Sequence, residues 1–163
     1  MNDVDQALAR CALGVRLSKP TPRDWPVADW AVVKGGVPGS VVAFGQCFPP
    51  RGYSETEALR HLHEVIANAV QQHSVTKTLV WEIEGNARAS WAMRPRIRAE
   101  GVVAAAATVM GSSSEFVAWQ RIAALAAASE PKSFYASAHD VCGYLVGKAD
   151  SQAVLVAVAA LAS

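Results

Sequence analysis

The sequence predicts a single α/β domain spanning residues 1–163, built on a mixed five-stranded sheet in which a three-strand antiparallel meander is followed by alternating helices and strands. Three observations carry this prediction. The first 48 residues hold three short apolar runs separated by Pro- and Gly-rich turns. Residues 54–73 combine a capping box with an apolar stripe at helical spacing. Residues 78–83 form a nearly continuous apolar run, the pattern of a strand covered on both faces.

Each element follows from its local chemistry. Residues 9–17 alternate weakly and suit a first strand, and the three prolines between Lys19 and Val27 make the next segment a loop. Residues 29–34 read as a second strand, Gly35 to Gly39 as a turn, and residues 40–48 as a third strand. Ser54 and Glu57 cap a helix that places Leu59, Leu62, Val65, Ile66, Ala69 and Val70 on one stripe and ends near His73. After the central strand, Pro95 sits where a helix can begin, with its end near Met110 and Gly111 as the cap. Phe116 to Trp119 reads as a strand, with helical alanines after it. Residues 131–146 carry no clear pattern, and residues 151–162 form a terminal helix so uniformly apolar that it must be buried.

Composition narrows the functional classes. The chain has 163 residues, enough for one core, and is 52% hydrophobic and 18% charged. A net charge of +1 gives no global attraction to nucleic acid or to an anionic membrane, so any nucleic-acid role must rest on a local patch. Cys11, Cys47 and Cys142 lie far apart without CxxC spacing, which argues against a disulfide framework or a zinc site and fits a reducing, cytoplasmic setting. The N-terminus lacks the pattern of a signal peptide, and the most apolar segment, residues 153–162, is shorter than the roughly 20 residues a membrane span needs. His61 and His63, two apart on a helix, point to different faces and do not suggest a shared metal. No Walker loop, GxGxxG, GxSxG, HExxH or zinc-finger spacing occurs.

The order of elements resembles the RNase H-like fold, and four stretches resemble its RuvC-like branch of Holliday-junction resolvases. Gly14-Val15-Arg16-Leu17-Ser18 stands where that branch has a glycine, an apolar residue and its first acid. The helix of residues 57–73 and the strand ending Trp81-Glu82-Ile83-Glu84 stand where it has a helix and then its second acid. Arg98-Ala99-Glu100-Gly101 matches the helix that follows, and Lys148-Ala149-Asp150-Ser151 a final helix that opens with acids. The resemblance implies nucleic-acid binding or phosphodiester cleavage, with two divalent cations held between carboxylates. It also implies a homodimer, for which the helix after Pro95 is available.

Glu84 and Glu82, two apart on a strand, supply the second acid, Asp150 the helix acid, and Asp140 is a further candidate. Glu84 and Asp150 are the candidate metal ligands. Arg16 departs from the pattern, because a fixed guanidinium competes with a metal for the same carboxylates, so Mg²⁺ is not expected to bind tightly. Two arrangements are open: Arg16 pairs with Glu84 or Asp150 in place of metal, or Asp24 or Asp29 reaches the site by another route. Arg88, Arg94, Arg96 and Arg98 fall within eleven residues, with Trp91 among them, and read as a loop able to hold phosphates and stack on a base. The same arginines would equally serve as surface partners of Glu82, Glu84 and Glu100. Three functions follow: a metal-depleted binder of nucleic acid or of a protein partner, an active Mg²⁺-dependent endonuclease, or a non-catalytic scaffold.

Overall fold

The computed structural model describes residues 10–21, 24–36, 39–83, 90–129 and 148–163, with the backbone alone at 148–150. Strands β1 (Cys11–Leu17), β2 (Ala28–Lys34) and β3 (Ser40–Cys47) form the expected antiparallel meander. Helix α1 (Glu55–Gln72) follows, then β4 (Val75–Trp81), helix α2 (Arg94–Val109), β5 (Ser113–Val117), helix α3 (Trp119–Ala128) and helix α4 (Lys148–Ala162). The five strands lie in the order β3-β2-β1-β4-β5, and both β1/β4 and β4/β5 are parallel pairs. The mixed five-stranded sheet expected from the sequence is therefore the observed one.

Local chemistry sets the element ends. The Ser54 hydroxyl accepts from the Glu57 N–H, and the Glu57 carboxylate accepts from the Ser54 N–H at 2.7 Å. These bonds pull the fully exposed Glu57 carboxyl below its usual range. At the end of α2, the Gly111 N–H donates to Thr108 O and the Ser112 N–H to Ala107 O, both at 3.0 Å, with Gly111 at φ 87°. That is a Schellman turn, and it needs the glycine.

Several boundaries differ from the sequence reading, among them β5, which begins at Ser113 and not Phe116, and α4, which begins at Lys148 and not Ser151. β4 begins three residues before the apolar run because Ser74, at φ 50°, reverses the chain directly after α1. Trp119 opens helix α3 and is not part of a strand.

The sheet is covered on both faces. Leu13, Val15 and Leu17 of β1 and Val80 of β4 pack with Leu62, Ile66 and Val70 of α1 and Val103 of α2. Ala12 and Leu79 face the other way, against Val154, Ala157 and Val158 of α4 and Ile122 of α3. Cys47 is buried in the first layer, where burial pushes its thiol up to about 11, while Cys11 is only half-buried. Gly14 lets α4 cross β1 in backbone contact. A Cβ there would stand 2.7 Å from Val156 C and closer still to the Ala157 nitrogen and Ala153 oxygen. Among the described residues no helix is long and apolar enough to cross a membrane.

Candidate functional site

The strand registers draw one row of side chains across the end of the sheet. Pairing of β2 with β3 sets Asp29 opposite Gln46, pairing of β1 with β2 sets Arg16 opposite Asp29, and the parallel pair β1/β4 sets Arg16 beside Trp81. Arg16 Nη1 donates to Asp29 Oδ2 at 2.8 Å, and Gln46 Nε2 donates to Asp29 Oδ1 at 2.5 Å. Both carboxylate oxygens are thus occupied, and Asp29 is 2% exposed while the Arg16 side chain keeps 25%. The guanidinium carbon lies 5.8 Å from the centre of the Trp81 ring, which also packs against Trp119 with centroids 4.7 Å apart and planes tilted by 35°. Arg16 Nε is closed off from solvent and has no hydrogen-bond partner among the described residues.

Helix α4 approaches this row by its N-terminus. Its Ala153–Ala157 segment crosses β1 at Gly14, and its last residues, Ala160 to Ser163, line a groove with Arg10 to Ala12 at the far end of the strand. The helix therefore runs antiparallel to β1, with its positive dipole end toward Arg16. Asp150 belongs to this first turn by its backbone.

Arg16 pairs with Asp29, one of the acids of the second arrangement, while the expected pairing with Glu84 or the Asp150 carboxylate lies outside the described residues. The reason is register: on adjacent antiparallel strands the two side chains are direct neighbours. Asp24 takes no part. Its carboxylate accepts from the Thr21 hydroxyl at 3.1 Å in an exposed turn.

A second polar cluster ties the end of β4 to α2. Arg96 Nε donates to Glu100 Oε1 at 3.0 Å, one turn along the helix, and the Ile83 N–H donates to the same oxygen at 3.1 Å. Arg96 Nη2 reaches Trp81 O at 3.4 Å, and the Glu82 N–H donates to Val117 O at 3.1 Å. These bonds stop the strand at Trp81, so Glu82 lies just past its end instead of inside it. Glu84, Arg88 and Asp140 fall outside the described residues, as does the side chain of Asp150.

The arginine cluster divides once folded. Arg94, Arg96 and Arg98 stand on the first turns of α2, not on a loop. Arg96, expected among the phosphate-holding residues, is instead only 7% exposed, and its Nε and Nη2 are engaged within the protein. Arg98 pairs with Glu55 at the start of α1. The Arg94 guanidinium lies 3.5 Å from the centre of the Trp91 ring, and that indole is 73% exposed. Trp91 and Arg94 edge an open groove of about 380 Å³, lined also by Pro20, Trp25, Glu55 and Pro95. Among the described members of the cluster, Trp91, Arg94 and Arg98 border this groove.

A divalent metal would need three or four convergent carboxylates. Among the described residues no three His, Cys, Asp or Glu side chains come together. Asp29 is taken up by Arg16 and Gln46, and Glu100 accepts from Arg96 and Ile83. A guanidinium at the end of β1 does not fit a cation centre, so no hydrolytic step is derived through one. Gln46, Trp81 and Trp119 are site residues that sequence reasoning missed. The strand register sets Gln46 beside Asp29 and Trp81 beside Arg16, and Trp119 joins through its contact with Trp81.

No family model matches the chain, and no curated protein matches it. Solved structures do. RuvC of T. thermophilus in complex with a Holliday junction substrate superimposes with a TM-score of 0.68 at 13% identity, covering 92% of this chain and 91% of that one. A second structure of Thermus thermophilus RuvC gives 0.65 at 11% identity, covering 91% and 92%. At such identity the likeness establishes the fold: the chain has the RNase H-like architecture in the form seen in RuvC.

Proposed function

We propose that this protein binds nucleic acid on a RuvC-type scaffold whose metal centre has been replaced by an ion pair, and that it does not cleave. The observation that carries the reading is the Arg16–Asp29 bridge at the end of β1, where the resemblance implies the first metal-binding acid. A guanidinium there repels Mg²⁺, and its partner's carboxylate is already spent. The nucleic-acid part draws on three supports. The architecture is that of a protein solved with a Holliday junction. Trp91 offers an exposed ring for a base, with Arg94 stacked on it. Arg98 and Arg94 line the same groove, although the Glu55 partner of Arg98 weakens its share.

The test is binding of a labelled four-way DNA junction, measured by anisotropy in EDTA over a salt series. The expected result is metal-independent binding that weakens steeply with salt, with no cleavage after addition of Mg²⁺ or Mn²⁺. Arg94→Ala should weaken binding, and Trp91→Ala should remove roughly 1–3 kcal/mol of stacking. Cleavage that depends on Glu84, Glu82, Asp150 or Asp140 would instead establish an active endonuclease. Absence of any DNA binding would leave a scaffold for a protein partner.

A further inference from the structure

Resting on the nucleic-acid reading above, we infer that Arg16 is itself a phosphate receptor: the end of the sheet is an anion site that takes one backbone phosphodiester directly on the guanidinium. The charge of this centre is then inverted relative to a metal site, and the strand is held by a fixed cation.

Four observations converge on it. First, Asp29 is turned inward, 2% exposed, with Oδ2 on Arg16 and Oδ1 on Gln46, so the negative end of the pair faces the protein and the positive end, 25% exposed, faces out. Second, among the described residues Asp29 engages the guanidinium through Nη1, which leaves Nη2 available to an acceptor. Third, the guanidinium is fixed by Asp29 on one side and by the Trp81 ring at 5.8 Å on another, so little freedom is lost on binding. Fourth, the positive end of α4 points to the same place.

The variant that tests this is Arg16→Gln combined with Asp29→Asn. It keeps a hydrogen-bonded row from Gln46 across β1 and leaves net charge unchanged, so the general field of the protein is constant. On the four-way junction in EDTA it should bind roughly tenfold more weakly at about 0.1 M salt, with a salt slope shallower by about one unit. Arg16→Lys, which keeps the charge, should retain the slope.

A second measurement uses the unaltered protein. Phenylglyoxal modification of Arg16, followed by mass spectrometry, should slow when the junction is bound, while exposed Arg10 at the other end of β1 reacts as before. Equal reactivity of Arg16 with and without DNA, or a folded double variant with wild-type affinity and slope, would overturn the assignment. The nucleic-acid reading would still stand if Arg94→Ala weakened binding. If the wild type binds no DNA, both fall. If the double variant loses only a calorimetric signal for inorganic phosphate, the site takes free phosphate and not a strand, which also overturns the inference.

Discussion

Two ion pairs organise the end of the sheet: Arg96–Glu100 is buried, and Arg16–Asp29 buries only its carboxylate. Arg96 and Glu100 have side chains 9% and 1% exposed and spend their polar atoms on the backbone of Trp81 and Ile83. Removing one partner leaves a charge without compensation, which costs about 3–5 kcal/mol in such settings. Arg96→Met should therefore lower the unfolding free energy read from urea denaturation by about 3–5 kcal/mol, with little direct effect on ligand contacts. Arg98→Ala, in a pair with side chains 55% and 35% exposed, should cost under about 1 kcal/mol. An Arg96→Met stability equal to that of Arg98→Ala would show that the Arg96 bonds do not hold the strand end. The sequence presents these arginines as equivalent because α2 is too rich in alanine to declare its buried face. Ala99, Val103, Ala106 and Ala107 fill that face, and no hydrophobic stripe separates Arg96 from Arg94.

At the scale of elements, the close crossing of α4 over β1 fixes where the helix N-terminus lands. Gly14→Ala would drive a methyl into the Ala153–Ala157 backbone, which rigid strand and helix cannot absorb by a rotamer change. The expected loss is about 1–3 kcal/mol or more. A thermal melt unchanged by Gly14→Ala would mean that the helix sits farther from the strand than described. Most element ends were legible because local signals set them: the Ser54–Glu57 box, Pro95 at the start of α2 and Gly111 at its end. β4 was not, because its ends depend on Ser74 adopting a left-handed backbone and on α2 gripping Trp81 and Ile83. Hydropathy reports burial, and Ile83 is buried although it lies beyond the strand.

For the whole molecule, the order β3-β2-β1-β4-β5 brings the ends of β1 and β4 together with the start of α4 nearby, a convergence that the resemblance to the RNase H-like fold implied. The site at that place was readable only in part. Arg16 stood out as a cation where an acid was due, but its partner is set by the pairing of β1 with β2, a long-range register that no local pattern announces. The central claim is that this pair excludes metal, and calorimetric titration of Mn²⁺ into the purified protein tests it most directly. The account predicts no saturable binding up to millimolar Mn²⁺ in either the wild type or Glu84→Ala. Tight binding that disappears in Glu84→Ala would contradict it and return the protein to the metal-dependent nucleases.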